Sequence, residues 1–276
     1  MKPLILIDGS SYLFRAFHAI PILKTSTNFP TNAIYGVIKM IKQILKVFSP
    51  EKMAIIFDCK EKTFRHKLYP QYKKNRNKTP SQLICQFIPL IKILNAMGIH
   101  TLFIKGIEAD DIIGTIANQY EKNNIPVIIS TTDKDMLQLV NKTTTIINTK
   151  NNEIIDENKI LKKFSIRPTQ FIDYLSLIGD QSDNIPGIFQ CGPKTAVKWI
   201  KTYNTLENII KNSHSIKGKI GYYLQKSIKY LPIYKKLITI QKNINLPHNI
   251  KNLNIKKPNK QLLNQLSKKM EFKINI

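Results

Sequence analysis

Four short apolar runs in this chain each stop at, or a few residues before, an acidic side chain. Pro3-Leu4-Ile5-Leu6-Ile7 ends at Asp8 and Met53-Ala54-Ile55-Ile56-Phe57 at Asp58, while Thr101-Leu102-Phe103-Ile104 leads to Glu108 and Val127-Ile128-Ile129-Ser130 to Asp133. A run that is apolar without alternation is buried on both faces, as a parallel strand is when helices cover both sides of its sheet. Helical spacings lie between the runs, over Ser11 to about His18, Ala33 to Phe48, and Ile84 to Met97 with Pro89 as a candidate kink. The alternation predicts an α/β fold with a mostly parallel central sheet, right-handed crossovers and helices on both faces. Ligands bind such sheets at the carboxyl ends of the strands, where these acids fall.

The densest acidic stretch is Gly106-Ile107-Glu108-Ala109-Asp110-Asp111, with three carboxylates in four positions. Two unit charges about 5 Å apart repel by roughly 3 kcal/mol at an effective dielectric near 20, so grouped carboxylates share a proton, face water or hold a cation. Asp8, Asp58, Glu108, Asp110, Asp111, Asp133, Asp135, Asp180 and Asp183 are nine of the chain's 18 acids, all at expected loops or strand ends. Any one of them could be a helix cap or a solvated loop residue. Together they form an oxygen-only donor set suited to magnesium or manganese, and no His or Cys cluster competes with it. Glu108 and Asp110 converge only if the helix starts after Glu108. Asp133 and Asp135, two apart, share a side if the chain is extended there, and Asp180 and Asp183, three apart, fit a helical turn.

The remaining charge is strongly positive. Lys and Arg number 43 in 276 residues and leave a net charge of +25, which points to a polyanion such as nucleic acid or an anionic membrane surface. Lysine is abundant throughout, so the placement of the four arginines, Arg15, Arg65, Arg76 and Arg167, is more informative. Two of them lie in the basic segment Phe64-Arg65-His66-Lys67 to Tyr69-Pro70-Gln71-Tyr72-Lys73-Lys74-Asn75-Arg76, which reads as a phosphate clamp with tyrosine stacking platforms or, more plainly, as a solvated loop. Arg15 after the first strand is a weaker contact candidate. No apolar run approaches a membrane span, and the amino terminus lacks a signal-peptide pattern, so the expected location is the cytoplasm. Cys59, Cys85 and Cys191 lack ligand spacing and read as small core residues, as Trp199 reads as core.

From about Ile160 the pattern turns helical. Gly179-Asp180-Gln181-Ser182-Asp183-Asn184-Ile185-Pro186-Gly187 follows one helix, and Gly192-Pro193-Lys194-Thr195-Ala196 opens the next. This is a helix-hairpin-helix pattern whose free N–H groups suit a phosphate, near Gly187, Gly192, Lys194 and Thr195. The expected divisions are 1–160 as an α/β domain with a basic arch at about 60–80, 161–246 as the hairpin region completing the acidic site, and 247–276 as a Lys/Asn-rich extension.

In order along the chain, Asp8-Gly9-Ser10, Phe57-Asp58, Phe64-Arg65, Tyr72-Lys73-Lys74-Asn75-Arg76, Gly106 to Asp111, Thr132-Asp133-Lys134-Asp135 and Gly179 to Gly187 resemble the 5′ nuclease (flap endonuclease) family. The likeness is greatest to the 5′→3′ exonuclease domain of bacterial DNA polymerase I and runs from Leu4 to about Leu246. It implies a PIN-like sheet and two magnesium ions, replaceable by manganese. Asp8, Asp58, Glu108, Asp110 and Asp111 would serve one ion, and Asp133, Asp135, Asp180 and Asp183 the other. Lys73 and Arg76 would stand on a helical arch and, with Asp8, lie closest to the chemistry, while Arg15, Arg65, Tyr72 and Lys74 would contact DNA. The implied partners are DNA with 5′ flaps, nicks or free 5′ ends and RNA-DNA primer junctions, met by a monomer working beside a separate DNA polymerase. The family's hairpin reads Gly-hydrophobic-Gly, so Gln190-Cys191-Gly192 leaves the implied potassium open. Two readings of other classes compete with the nuclease: a DNA-junction binder that does not cleave, and a magnesium-dependent phosphatase or nucleotidase.

Overall fold

The computed structural model describes residues 2–149, 151–247 and 252–274. Among these, strands β1 (Leu4–Asp8), β2 (Lys52–Ile56), β3 (His100–Leu102), β4 (Val127–Thr131), β5 (Thr144–Asn148) and β6 (Glu153–Ile155) form one sheet in the order β3-β2-β1-β4-β5-β6. All neighbours are parallel except β5 and β6, which pair antiparallel. Three of the four apolar runs are buried strands, as their patterning predicts; of Thr101 to Ile104 only Thr101 and Leu102 pair, in a half-buried strand, and Phe103 is exposed beyond it. The β5–β6 pair was not expected from the sequence: Thr144-Thr145-Ile146-Ile147-Asn148 lacks the long apolar run that marks the inner strands.

Every residue of β1 is buried, and its side chains divide between two cores. Leu4 and Leu6 face one packed against α5 (Ala109–Glu121) and the helical second half, whereas Ile5 and Ile7 face one built on α1 (Gly9–Ala19), α2 (Asn32–Phe48) and α4 (Ser81–Ala96). This is the two-residue strand period with both faces covered. Pro89 lies inside α4, and the helix runs through it.

The basic segment forms only the five-residue helix α3 (Phe64–Leu68), followed by turns. After β6, helix α6 (Glu157–Phe164) spans the expected division at 160, and α7 (Phe171–Ile178), α8 (Pro193–Tyr203), α9 (Leu206–Lys211), α10 (Gly218–Ser227) and α11 (Leu231–Ile238) complete the helical half. The α7–α8 hairpin depends on two glycines. Gly179 and Gly187 have φ of 80° and 65°, and a Cβ on Gly187 would lie 2.3 Å from the Gly179 nitrogen.

The Lys/Asn-rich tail is part of both cores. Leu253 O accepts from Met53 N at 2.9 Å, Ile255 N donates to Glu51 O at 2.9 Å, and Lys256 N donates to Gly98 O at 2.9 Å. Helix α12 (Lys260–Met270) then buries Leu263, Leu266 and Met270 in the core that holds α2 and α4. Residues 248–251 and 275–276 of this segment lie outside the described residues. Trp199 and Cys191 are buried, Cys59 is half-buried, and Cys85 is exposed on α4, contrary to its reading as core. The packing of α12 predicts that Leu263→Ala costs about 2–5 kcal/mol. A thermal melt unchanged by that substitution would show the tail to be dispensable to the core.

Candidate active site

Asp8 closes β1 and caps α1. Its Oδ1 accepts from Ser11 N at 2.9 Å and its Oδ2 from the Thr131 hydroxyl at 2.7 Å. Asp58 follows β2, its N–H bonded to Ser10 Oγ at 3.0 Å, and its Oδ1 accepts from Ala109 N at 2.9 Å. Glu108 is extended, at φ −78° and ψ 149°, and the helix begins at Ala109, so Glu108 lies before the first turn and Asp110 and Asp111 within it. That is the arrangement the acidic stretch requires, and the helix amino terminus favours its negative charge.

Asp133 and Asp135 converge by a different route from the extended one expected. Lys134 is right-handed helical, Asp135 opens a 3-10 turn, and Asp135 N donates to Asp133 Oδ1 at 2.9 Å. Asp180 and Asp183 occupy a reverse turn rather than a helical one: Asp180 and Ile185 exchange two backbone bonds of 2.8 Å, and the Asp180 carboxylate accepts from Ser182 N and Oγ.

Seven of the nine acids repel one another, and Glu108 joins them through Tyr72 and Lys73, which it shares with Asp183. Burial pushes Asp8 up to about 7, helped by repulsion from Asp58 and Asp133. Burial also raises Asp110 well above the usual carboxylate range, with repulsion from Asp133, Asp58 and Asp8. Asp135 is raised for the same reason, against Asp133, Asp180 and Asp183. Glu108 goes the other way: burial would raise it, but Lys73 and Arg65 hold it down at about 2. The ninth acid, Asp111, does not join this group. Its two oxygens receive the Arg65 guanidinium at 2.7 and 2.8 Å, and Gln241 N donates to Oδ1 at 2.8 Å. With both oxygens so engaged and the side chain buried, Asp111 is not placed to ligate a metal.

Arg65 is likewise 2% exposed, with Nε and Nη2 donating to the Leu237 and Thr239 carbonyls. It is a structural tie between the basic segment and the end of α11, not a clamp on DNA. Tyr72 is also buried, so its ring is no stacking platform. Its hydroxyl lies 2.8 Å from Asp183 Oδ2 and 3.1 Å from Glu108 Oε2, joining the two halves of the acidic group through one proton. Burial and both carboxylates push its pKa far up, so the hydroxyl keeps its proton. Thr63, Thr131 and Ser182 were missed in the sequence. They are hydroxyl donors to Glu108, Asp8 and Asp180, and no local pattern in the sequence marks all three.

Three positive groups reach the acidic wall. Lys73 Nζ is 2.8 Å from Glu108 and 3.9 Å from Asp183, Arg76 Nη2 is 2.6 Å from Asp183, and Lys134 Nζ is 3.4 Å from Asp180. Lys73 is held at φ 55°, with its N–H bonded to Asp183 O at 3.0 Å. The ammonium and guanidinium stand where any cation would meet these oxygens. No three Asp, Glu, His or Cys side chains among the described residues already converge into a closed metal cage. The donor chemistry nevertheless fits hard divalent cations: oxygen-only ligands, mutual repulsion, and a buried Asp135 Oδ1 without a partner.

Arg15 lines a shallow groove with Ser11, Phe14, His18 and Thr132, beside Asp8 and Asp133 in sequence, and its Nη1 is buried without a partner. Lys74 is exposed. Lys194 and Thr195 lie in the first turn of α8, behind Gly192 as N-cap, and Gln190 takes the left-handed φ of 63° that glycine adopts freely.

The family model for "5′-3′ exonuclease, N-terminal resolvase-like domain" matches residues 3–165, and that for "5′-3′ exonuclease, C-terminal SAM fold" matches residues 166–261. A 5′-3′ exonuclease of Aquifex aeolicus is 39% identical over 274 residues, covering 99% of this chain and 93% of that protein. One of Buchnera aphidicola subsp. Acyrthosiphon pisum is 41% identical over 264 residues, covering 93% and 92%. DNA polymerase I of Pseudomonas aeruginosa is 38% identical over 283 residues, 98% of this chain but 31% of the polymerase. Among solved structures, the bacteriophage T5 D15 flap endonuclease in a pseudo-enzyme-product complex with DNA and metal ions aligns with TM-score 0.73 and 22% identity, covering 86% of this chain and 88% of that one, a likeness of fold.

Breaking the buried Arg65–Asp111 pair by Arg65→Ala should cost about 3–5 kcal/mol, because it strands a carboxylate away from water. Arg65→Lys should restore only part, since an ammonium cannot reproduce the two-pronged contact. Denaturation would measure the loss. The salt dependence of DNA binding by the folded variant should stay unchanged, whereas removing an arginine from a phosphate would lower that slope by about 1.

Proposed function

The chain belongs to the 5′-3′ exonuclease family, and from that membership we propose that it hydrolyses phosphodiester bonds of DNA both from a free 5′ end and at 5′ flaps, with two magnesium ions. The observation that carries the reading is the wall of seven mutually repelling carboxylates together with Glu108, drawn from four strand ends and the 180–185 turn and met by Lys73 and Arg76. Asp8, Asp58, Glu108 and Asp110 would hold one ion, and Asp133, Asp135, Asp180 and Asp183 the other. When bound, such ions lower the pKa of water and stabilise the attacking and leaving oxygens of an in-line displacement. Manganese fits the same oxygen donors.

The protein's own groups do the rest. Lys73 and Arg76 present donors beside Glu108 and Asp183, where they would bond the phosphate oxygens and offset charge developing there. Thr131 and Ser11 hold Asp8, and Thr63 and Tyr72 hold Glu108, so these carboxylates keep one orientation. The first turn of α8, with Lys194 and Thr195, offers N–H groups to a duplex phosphate. RNA-DNA primer junctions suit the same phosphate chemistry. The match to 31% of a DNA polymerase I supports a polymerase acting beside this chain in replication and repair. No helix among the described residues is long and apolar enough to cross a membrane.

A labelled 5′-flap duplex should be cut with magnesium and spared in chelator; absence of cleavage in both defeats the enzymatic reading and leaves junction binding. Asp133→Ala should lower cleavage by about a hundredfold or more while DNA affinity changes little. Unchanged turnover would remove Asp133 from the site. Magnesium at about 100 times its dissociation constant should stabilise the fold by about 2.7 kcal/mol for each ion bound, seen as a rise in melting temperature that Asp135→Asn reduces.

A further inference from the structure

The helical half carries a surface that the acidic wall does not use. Phe189, in the loop before α8, is 62% exposed, and Tyr222 and Tyr230 are 52% and 45% exposed. They fall into two groups. Phe189 meets Tyr223 edge-on at 4.9 Å between centroids, and Tyr223 lies 5.6 Å from Tyr222. Lys226 Nζ is 4.5 Å from the Tyr222 ring centre, and Lys229 Nζ is 4.9 Å from that of Tyr230. Tyr230 in turn stacks on Tyr234 at 6.3 Å, which meets Tyr69 of the basic segment at 6.4 Å.

The exposed Phe189–Tyr223–Tyr222 group marks a binding face, and its charge says for what. No acid occurs between Glu207 and Glu271, while Lys217, Lys219, Lys226 and Lys229 all lie on or beside α10. An acidic protein would satisfy the lysines, yet the rings already carrying cations call for flat partners that also bring negative charge. A duplex offers phosphates but keeps the faces of its bases stacked inside. Unpaired nucleotides offer both, which is the combination of aromatic platforms and lysines found in single-strand-binding grooves.

We infer that the face formed by the Phe189 loop and α10 binds single-stranded nucleic acid, with unpaired bases stacked on Phe189 and Tyr222 and phosphates paired to Lys226 and its neighbours. The face adjoins the amino end of α8, because Phe189 precedes the Gly192 cap by three residues. A strand leaving a duplex held at Lys194 and Thr195 therefore meets it directly. The inference concerns binding of nucleic acid and does not depend on cleavage.

The test is fluorescence anisotropy of the full chain with a labelled oligothymidylate of about 20 nucleotides and with a blunt duplex of equal length, both in chelator. Phe189→Ser combined with Tyr222→Ser should weaken single-strand binding about tenfold or more and duplex binding hardly at all, with the salt slope for the single strand unchanged. Lys226→Gln with Lys229→Gln should instead flatten that slope by about 0.7 for each phosphate that is no longer neutralised. Equal losses for both nucleic acids, or no loss for the single strand, overturn the inference. Because both rings are exposed, the variants should melt with the parent chain. Flap cleavage followed separately keeps the readings apart: a chain that binds the single strand through these rings but cuts nothing defeats only the nuclease reading.

Discussion

Like charge packed at one sheet edge is the constraint on which the rest of this structure depends. Parallel strands must be buried on both faces, and their carboxyl ends are the places where the chain can leave the core with polar groups converging. Here those ends carry Asp8, Asp58, Glu108 and Asp133, and the helical half adds Asp180 and Asp183 from across the gap. Burial first and mutual repulsion second make ionisation unfavourable in such a group, as the raised pKa of Asp8, Asp110 and Asp135 shows.

The basic segment answers this constraint in two ways. Arg65 is consumed by the fold: it pairs with Asp111, bonds two carbonyls near the end of α11 and so fixes where the segment crosses the sheet edge. That anchor places Tyr72, Lys73 and Arg76 against Glu108 and Asp183. The division follows from solvation. A guanidinium with its fork filled by a carboxylate can be buried, whereas Lys73 and Arg76 reach the wall from a partly open side and remain able to meet a phosphate.

Adjacent acids take opposite roles for the same reason. Asp110 and Asp111 are neighbours in the first turn of α5, about 100° apart around the helix. One points into the acidic group and the other to Arg65. No property of the two residues themselves distinguishes them. The hairpin shows a related economy: Gly179 and Gly187 approach so closely that only glycine fits, and this closeness brings Asp180 and Asp183 back toward the strand ends.

The parallel strands, the helix start after Glu108, the acidic character of the sheet edge and the oxygen-only donor set were legible in the amino-acid sequence. Each follows from local pattern: unbroken apolar runs, the spacing of Glu108 and Asp110, which converge only ahead of a regular helix, and the absence of nitrogen or sulfur ligands at useful spacing. What the sequence could not separate was role among chemically identical neighbours. Asp111 differs from Asp110, Arg65 from Arg76, and Tyr72 from Tyr222 only through partners distant in the chain or through burial, as Arg65 with Leu237 and Tyr72 with Asp183 show. The tail is illegible for the same reason, because its few apolar residues, Leu253, Leu263, Leu266 and Met270, acquire meaning only against strands and helices from the other end of the chain. Sequence alone thus determined which chemistry gathers at the sheet edge. Tertiary structure decided which carboxylates and cations remain free to perform it, because desolvation and long-range pairing are properties of the packed chain.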